Sequence, residues 1–140
     1  MDKPRIHGVT LIELMITLAV IAVIASIAVP MYTGYIRSSR FVDAQNELSA
    51  IRLAQEEFFL ENNTYFGPVG LDATGANIQA ASGNLYTPSV QGYVNFSYQV
   101  AAGACGDIAR CYRLSAVGKA GTPMADVIDG SPDQPVIEGP

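Results

Sequence analysis

Histidine occurs once in these 140 residues, at His7, and cysteine only at Cys105 and Cys111. Beyond residue 8 the single lysine is Lys119. These scarcities remove much of the usual catalytic and metal-binding equipment. Without histidine in the body of the chain there is no Ser/His or Cys/His nucleophile pair, and the commonest general base is missing. Two thiols with no neighbouring histidine make a poor zinc site. Paired carboxylates remain, but nothing in their arrangement argues for an enzyme, and neither a cofactor nor a metal is expected. Positive charge is short as well. Lys and Arg total 8 against 13 Asp and Glu, a net −5, so nucleic acid is not an expected partner. With 49% hydrophobic residues, disorder is expected only at the ends.

Charge is missing altogether from Leu14 to Ile36, and Leu14 to Val29 is almost wholly aliphatic. The first third of the chain is thus committed to one segment, leaving about 80 residues after Asn62 for a small core. A secretory signal peptide carries an apolar stretch shorter than this run, and "SIAVPMYTGYIR" offers only a weak cleavage site of that kind. A plain transmembrane anchor needs about 20 apolar residues, which Leu14 to Ile36 supplies. Lys3 and Arg5 favour a cytoplasmic leader, although Arg37 and Arg40 on the far flank weaken that bias. Neither reading explains Glu13, a carboxylate at the edge of hydrocarbon whose burial in ionised form is costly.

"GVTLIEL", behind a short basic leader, resembles the N-terminus of type IV pilins, which type II secretion pseudopilins share. The resemblance is strong from Arg5 to about Asn63 and extends only to general layout beyond. It implies that a prepilin peptidase cuts after Gly8 and methylates the new first residue, Val9, while Glu13 is retained. Val9 departs from the more usual Phe or Met. Pro30 falls where the family's helix usually carries a kinking proline. The implied fold is α+β, a long N-terminal α-helix packed on a small antiparallel sheet. Residues 1–8 would be leader, 9–36 the transmembrane and filament-core half of the helix, and 37–140 the globular domain.

The implied function is that of a structural subunit of a type IV pilus, anchored by a single pass in the inner membrane and then polymerised into an extracellular filament. Its partners would be copies of itself and other pilins, the prepilin peptidase and the inner-membrane assembly machinery. The alternatives are a type II secretion pseudopilin and a membrane-anchored binding module that never polymerises.

Within that resemblance Glu13 acquires a physical role. Cleavage creates an α-ammonium at Val9 that the precursor lacks. In a filament a neighbour's Val9 ammonium can neutralise Glu13 inside the apolar core. A buried pair need not be net stabilising, but a lone buried charge is strongly unfavourable, so the expected gain is register between subunits. The local alternative is a Glu at a helix start, favoured by the macrodipole and solvated at the headgroups.

The helix is expected to continue to Asn62, roughly 80 Å from Val9 at 1.5 Å per residue. In "RFVDAQNELSAIRLAQEEFFLENN" the apolar positions Phe41, Ala44, Leu48, Ile51 and Phe58 repeat at helical spacing. Asp43, Glu47, Arg52, Glu56 and Glu57 are assigned to the polar faces. The apolar spacing fades after Phe59, which argues against a sustained coiled coil. Asn62 and Asn63 suit a left-handed cap. Pro30 and Gly34 predict a bend or a locally unwound stretch.

From Gly67 to about Gln91 the composition reads as a long connection, with a short helix at "ANIQAA". "YVNFSYQVA" alternates with Val94, Phe96, Tyr98 and Val100 on one face, and "CYRLSAV" with Tyr112, Leu114 and Ala116. Together they predict an antiparallel hairpin. "MADVIDG" is a third strand candidate, and "SPDQPVIEGP" reads as a loose tail.

Cys105 and Cys111 close the hairpin loop if that part of the chain is exported to an oxidising compartment. The alternative is a pair of buried or metal-binding thiols. Asp126, Asp129 and Asp133 lack the alternate-oxygen spacing and glycine of an EF-hand and read as a solvated acidic turn. The aromatics Tyr32, Tyr35, Phe41, Phe58 and Phe59 are explained by packing between helices. Arg110, Arg113 and Lys119 lie close in sequence, a weak basic cluster within an acidic chain.

Overall fold

The computed structural model describes residues 8–140, so most of the basic leader, with Lys3, Arg5 and His7, lies outside the described residues. The chain divides into two compact units that part between Ile36 and Arg37. A single helix, α1 (Leu11–Asn62), contributes to both. Four strands follow it: β1 (Val69–Asp72), β2 (Phe96–Ala102), β3 (Tyr112–Gly118) and β4 (Val136–Glu138). Two short helices, α2 (Ala76–Ala81) and α3 (Gly92–Asn95), lie between β1 and β2.

In the first unit Thr10 starts the helix. Its carbonyl accepts from Leu14 N–H at 3.2 Å, and its Oγ1 accepts from Glu13 N–H at 3.3 Å. That is one arm of a capping box, with Thr10 at the N-cap and Glu13 three residues on. The aliphatic side chains that follow are exposed. The hydroxyls among them turn back onto the helix: Thr17 donates to Leu14 O, Ser26 to Val23 O and Thr33 to Pro30 O, at 2.7–2.9 Å. The helix runs through Pro30 and Gly34 without interruption, so the unwound stretch that those residues predict is not seen. Proline's ring fixes a helical φ; what it removes is one N–H donor, and the surrounding aliphatic turns supply enough helical bonds to carry the helix past it.

In the second unit Ala44, Leu48, Ile51 and Ala54 of α1 are buried, while Phe41 and Phe58 pack against the core from its edge. They share that core with Phe96, Tyr98 and Val100 of β2 and with Tyr112, Leu114 and Ala116 of β3. The helix stops at Asn63, whose φ of 55° is left-handed and whose N–H bonds Phe59 O at 2.8 Å, as the Asn pair predicts.

The sheet is antiparallel with order β1-β2-β3-β4. Tyr98 pairs with Ala116 and Val100 with Leu114, which puts the alternating apolar residues of both strands on the face toward α1. Four expectations are corrected. The β2 alternation begins at Phe96, because Gly92–Asn95 is a helical turn; Tyr93 is therefore buried and Val94 exposed, the reverse of the strand reading.

Met124–Gly130 is a series of turns, not a strand. Met124 and Val127, three residues apart, both enter the core, and Val127 N–H bonds Met124 O at 3.0 Å. Gly118 faces this turn, and a Cβ there would overlap the Met124 carbonyl, so the close backbone approach requires glycine.

The tail is not loose: it supplies β4, which pairs with β3 through Leu114 and Ile137. The 67–91 connection likewise contains β1 as well as the expected α2.

Candidate functional site

At the helix start Gly8, Val9 and Glu13 are all exposed, and Gly8 has open space around its Cα. Glu13 contributes its backbone N–H to the Thr10 cap, and among the described residues its carboxylate has no hydrogen-bond or ion-pair partner. A carboxylate in the first turn of a helix is favoured by the macrodipole, but that interaction falls off within the turn and is weak where water reaches it. Its charge is therefore uncommitted among the described residues. Pro30 and Gly34 lie on the same helix, and Gly34 also faces open space.

The globular unit contains a polar site that the residue pattern misassigned. Glu47 is 4% exposed, on the buried face rather than a polar one. Tyr86 Oη and Ser89 Oγ donate to its two carboxylate oxygens, and Ser89 N–H adds a third bond at 3.2 Å. The Tyr93 hydroxyl lies 2.9 Å from that of Tyr86. Burial, then the hydrogen bond to Glu47, pushes the Tyr86 hydroxyl far above the usual phenol range, so it remains a donor. Gly92 packs directly on this carboxylate, where a Cβ would stand 2.8 Å from Glu47 Cδ. Glu47 stands three after Ala44 and four before Ile51, inside the apolar stripe, a spacing that places it beside the core without marking its charge as buried. Gln55 follows the same rule. Its buried amide donates to Phe66 O at 2.9 Å and accepts from Phe66 N–H at 3.0 Å, tying the helix to the segment before β1.

Asp72 organises the turn between β1 and α2. One oxygen accepts from the N–H groups of Thr74 and Gly75 and from Thr74 Oγ1, and the other from Asn77 and Ile78 N–H, all at 2.8–3.2 Å. Burial opposes its ionisation, but the backbone donors of Thr74, Ile78, Gly75 and Asn77 outweigh it and hold the carboxyl below the usual carboxylate range. A lowered folded value gives stability that is present above the unfolded pKa of about 3.9 and lost as pH falls through the folded one. Asp72→Asn turns an NH2 toward N–H donors and is expected to cost about 1–3 kcal/mol near neutral pH. In urea unfolding, the gap between the two proteins should close on the acid side; a gap independent of pH would mean that the lost stability is not the charge.

Cys105 and Cys111 are joined in a disulfide across the β2–β3 loop, with Cα atoms 6.1 Å apart. The loop it closes, "GDIAR", is largely exposed. By loop entropy the bridge is worth about 2 kcal/mol. Cys105→Ser is expected to lower the unfolding midpoint correspondingly, and reduction of the wild type should reproduce the shift.

The three aspartates of the 126–133 segment do not converge. Asp126 receives two bonds from Arg37, at 2.8 and 3.2 Å, and that hydrogen bonding holds its carboxyl below the usual range. Asp129 accepts from Gln134 at 2.9 Å and Gln99 at 3.2 Å. Two of the basic residues have acceptors within the unit: Lys119 Nζ donates to the Ala73 and Tyr93 carbonyls, and Arg113 pairs with Glu138 at 3.6 Å.

Two family profiles match the chain. Residues 3–29 match the prokaryotic N-terminal methylation motif, and residues 30–123 match the type IV minor pilin ComP, described as a DNA uptake sequence receptor. Among curated proteins, the type IV major fimbrial protein FimA of Dichelobacter nodosus is 30% identical over 113 residues, 78% of this chain and 72% of the relative. The type IV major pilin protein PilA of Myxococcus xanthus (strain DK1622) is 36% identical over 90 residues, 59% of this chain. That match spans only 41% of the Myxococcus protein's length. A probable minor fimbrial protein of Dichelobacter nodosus is 34% identical over 87 residues, 62% of this chain and 53% of the relative. No solved structure matches the chain.

Proposed function

The chain belongs to the type IV pilin family, and on that premise we propose that it is a structural subunit of a type IV pilus that performs no catalysis itself. One observation carries the reading. A Gly-Val-Thr-Leu-Ile-Glu start opens a helix whose aliphatic surface is exposed over its first unit, and a small α+β unit follows. Such a surface needs an apolar solvent or copies of itself. Prepilin peptidase cuts after Gly8 and methylates Val9, and the subunit waits in the inner membrane. The assembly machinery then moves it into an extracellular filament beside other copies and other pilins. Glu13 takes a neighbour's Val9 ammonium as its counter-charge. Pro30, lacking an N–H, and Gly34, lacking a side chain, mark where the helix yields most easily if packing demands a bend.

The receptor role in the ComP description is not extended to this chain. Lys119 is committed to two carbonyls and Arg113 to Glu138, within an acidic protein, so phosphate contacts have little to build on. A secretion pseudopilin is not favoured by the three relatives described above, which are named as a pilin and as fimbrial proteins.

The test is intact-mass analysis of filaments sheared from the cell surface. A subunit beginning at N-methyl-Val9, with two hydrogens fewer than the reduced form, is the expected result. Retention of Met1 in assembled protein, or absence of the chain from filaments, would overturn the reading.

A further inference from the structure

The first unit of α1 has two chemically marked ends. Thr10 and Glu13 stand at one, and at the other are Tyr32 and Tyr35, the first Phe, Tyr or Trp residues in the chain. From Glu13 to Tyr32 the helix rises roughly 29 Å at 1.5 Å per residue, close to the hydrocarbon thickness of about 30 Å. Between these ends no side chain is charged, and the hydroxyls of Thr17 and Ser26 bond carbonyls of the helix itself. No side chain in that interval needs water.

The tyrosines are different. Tyr32 is 67% and Tyr35 71% exposed, and neither hydroxyl has a hydrogen-bond partner among the described residues. Three residues apart, they lie on neighbouring positions of one helix face. An amphipathic ring with an unsatisfied hydroxyl, at the end of a span matching the hydrocarbon, fits the headgroup layer, where its body stays apolar and its tip is wet.

Resting on the membrane-anchored reading above, we propose that Tyr32 and Tyr35 bind the outer headgroup layer of the bilayer and set the depth of the free subunit. With Tyr32 at the outer interface, Glu13 falls at the inner one. There its carboxylate is solvated, and the Thr10–Glu13 helix start stays wet. The burial cost of Glu13 is then absent in the membrane and arises only when the subunit leaves it. The depth register thus separates anchoring, in which the charge is tolerated, from assembly, in which it must find a cation.

The chain has no tryptophan, so a single one reports its own depth. The full chain carrying Tyr32→Trp, or Ile21→Trp near the middle of the span, would be reconstituted in phosphatidylcholine vesicles. These would be brominated on the acyl chains either near the headgroup or near the chain ends. Tyr32→Trp should be quenched more by the shallow bromines, by roughly twofold, and Ile21→Trp more by the deep ones. In the Ile21→Trp chain, adding Tyr32→Ala and Tyr35→Ala should weaken the deep preference as the helix loses its depth setting. Deep quenching of Tyr32→Trp would overturn the register, and an unmoved Ile21→Trp signal in the alanine background would overturn the anchoring role. If neither reporter is quenched by either lipid, the membrane-spanning reading itself fails, a result distinct from both.

Discussion

Glu13→Ala subunits are expected to be inserted and cut after Gly8 at near wild-type levels, yet to be recovered in sheared filaments at about a hundredth of the wild-type ratio. Removing a carboxylate at the edge of the span adds no charge to the hydrocarbon, so insertion should not suffer. The Thr10 cap uses the backbone N–H of residue 13, which alanine retains, so the helix start should survive. The loss falls at assembly. A neighbour's Val9 ammonium would enter the apolar core without its counter-charge, and truncating one partner of a buried pair costs about 3–5 kcal/mol. At about 1.4 kcal/mol per tenfold, the lower end of that range already gives roughly a hundredfold. Glu13→Gln should resemble Glu13→Ala, whereas Glu13→Asp should fall between them and the wild type, since the charge persists with a shorter reach. Immunoblots of membrane and sheared fractions from the same cells give the ratio. Wild-type recovery of Glu13→Ala in filaments would remove the registration role and leave Glu13 as a helix-start residue.

The globular unit should be most sensitive at Glu47. Glu47→Ala takes the acceptor from Tyr86 Oη, Ser89 N–H and Ser89 Oγ at once, in a place where water does not replace it. Each stranded donor costs about 1–3 kcal/mol, so a loss of about 3 kcal/mol or more is expected. Glu47→Gln should cost clearly less. Its carbonyl oxygen can still accept from Tyr86 and from the Ser89 N–H, and its NH2 can donate to a Ser89 hydroxyl that turns away. Gly92→Ala should damage the same site from the other side, because its Cβ would press on the carboxylate. Unfolding of the full chain in detergent, followed by the tyrosine near-ultraviolet signal, would measure all three. Equal losses for Glu47→Ala and Glu47→Gln would mean that the charge itself, and not the count of acceptors, holds this loop to the helix.

These two carboxylates illustrate what could be read from residues alone. Glu13 is conspicuous because everything after it for more than 20 positions is uncharged, and a charge beside hydrocarbon demands an explanation. Glu47 also interrupts an apolar stripe, but in a segment already rich in Asp, Glu and Arg. Its neighbours in the chain do not distinguish a solvated charge from a buried one. Only the approach of Tyr86, Ser89 and Gly92, some 40 residues downstream, makes it an acceptor inside the core.

The strands divide in the same way. β2 and β3 could be found because each has a strict alternation of large apolar residues, long enough to set a period. β1 and β4 have four and three residues, too few for a period to emerge, and β4 lies among prolines that argue for a loose tail. They are strands because β2 and β3 offer unpaired backbone groups at their outer edges, and Val69 and Ile137 meet that demand. The reverse happened at Met124–Gly130, where a promising apolar segment became a turn once Met124 and Val127 both had to enter the core. Local sequence determined the long helix, its start at Thr10, its stop at Asn63 and the central hairpin, since these depend on spacing and on contacts within a few residues. The tertiary structure decided the edge strands, the buried Glu47 site and the partners of Arg37 and Lys119, since those depend on backbone and side-chain groups that meet only after the chain has closed on itself.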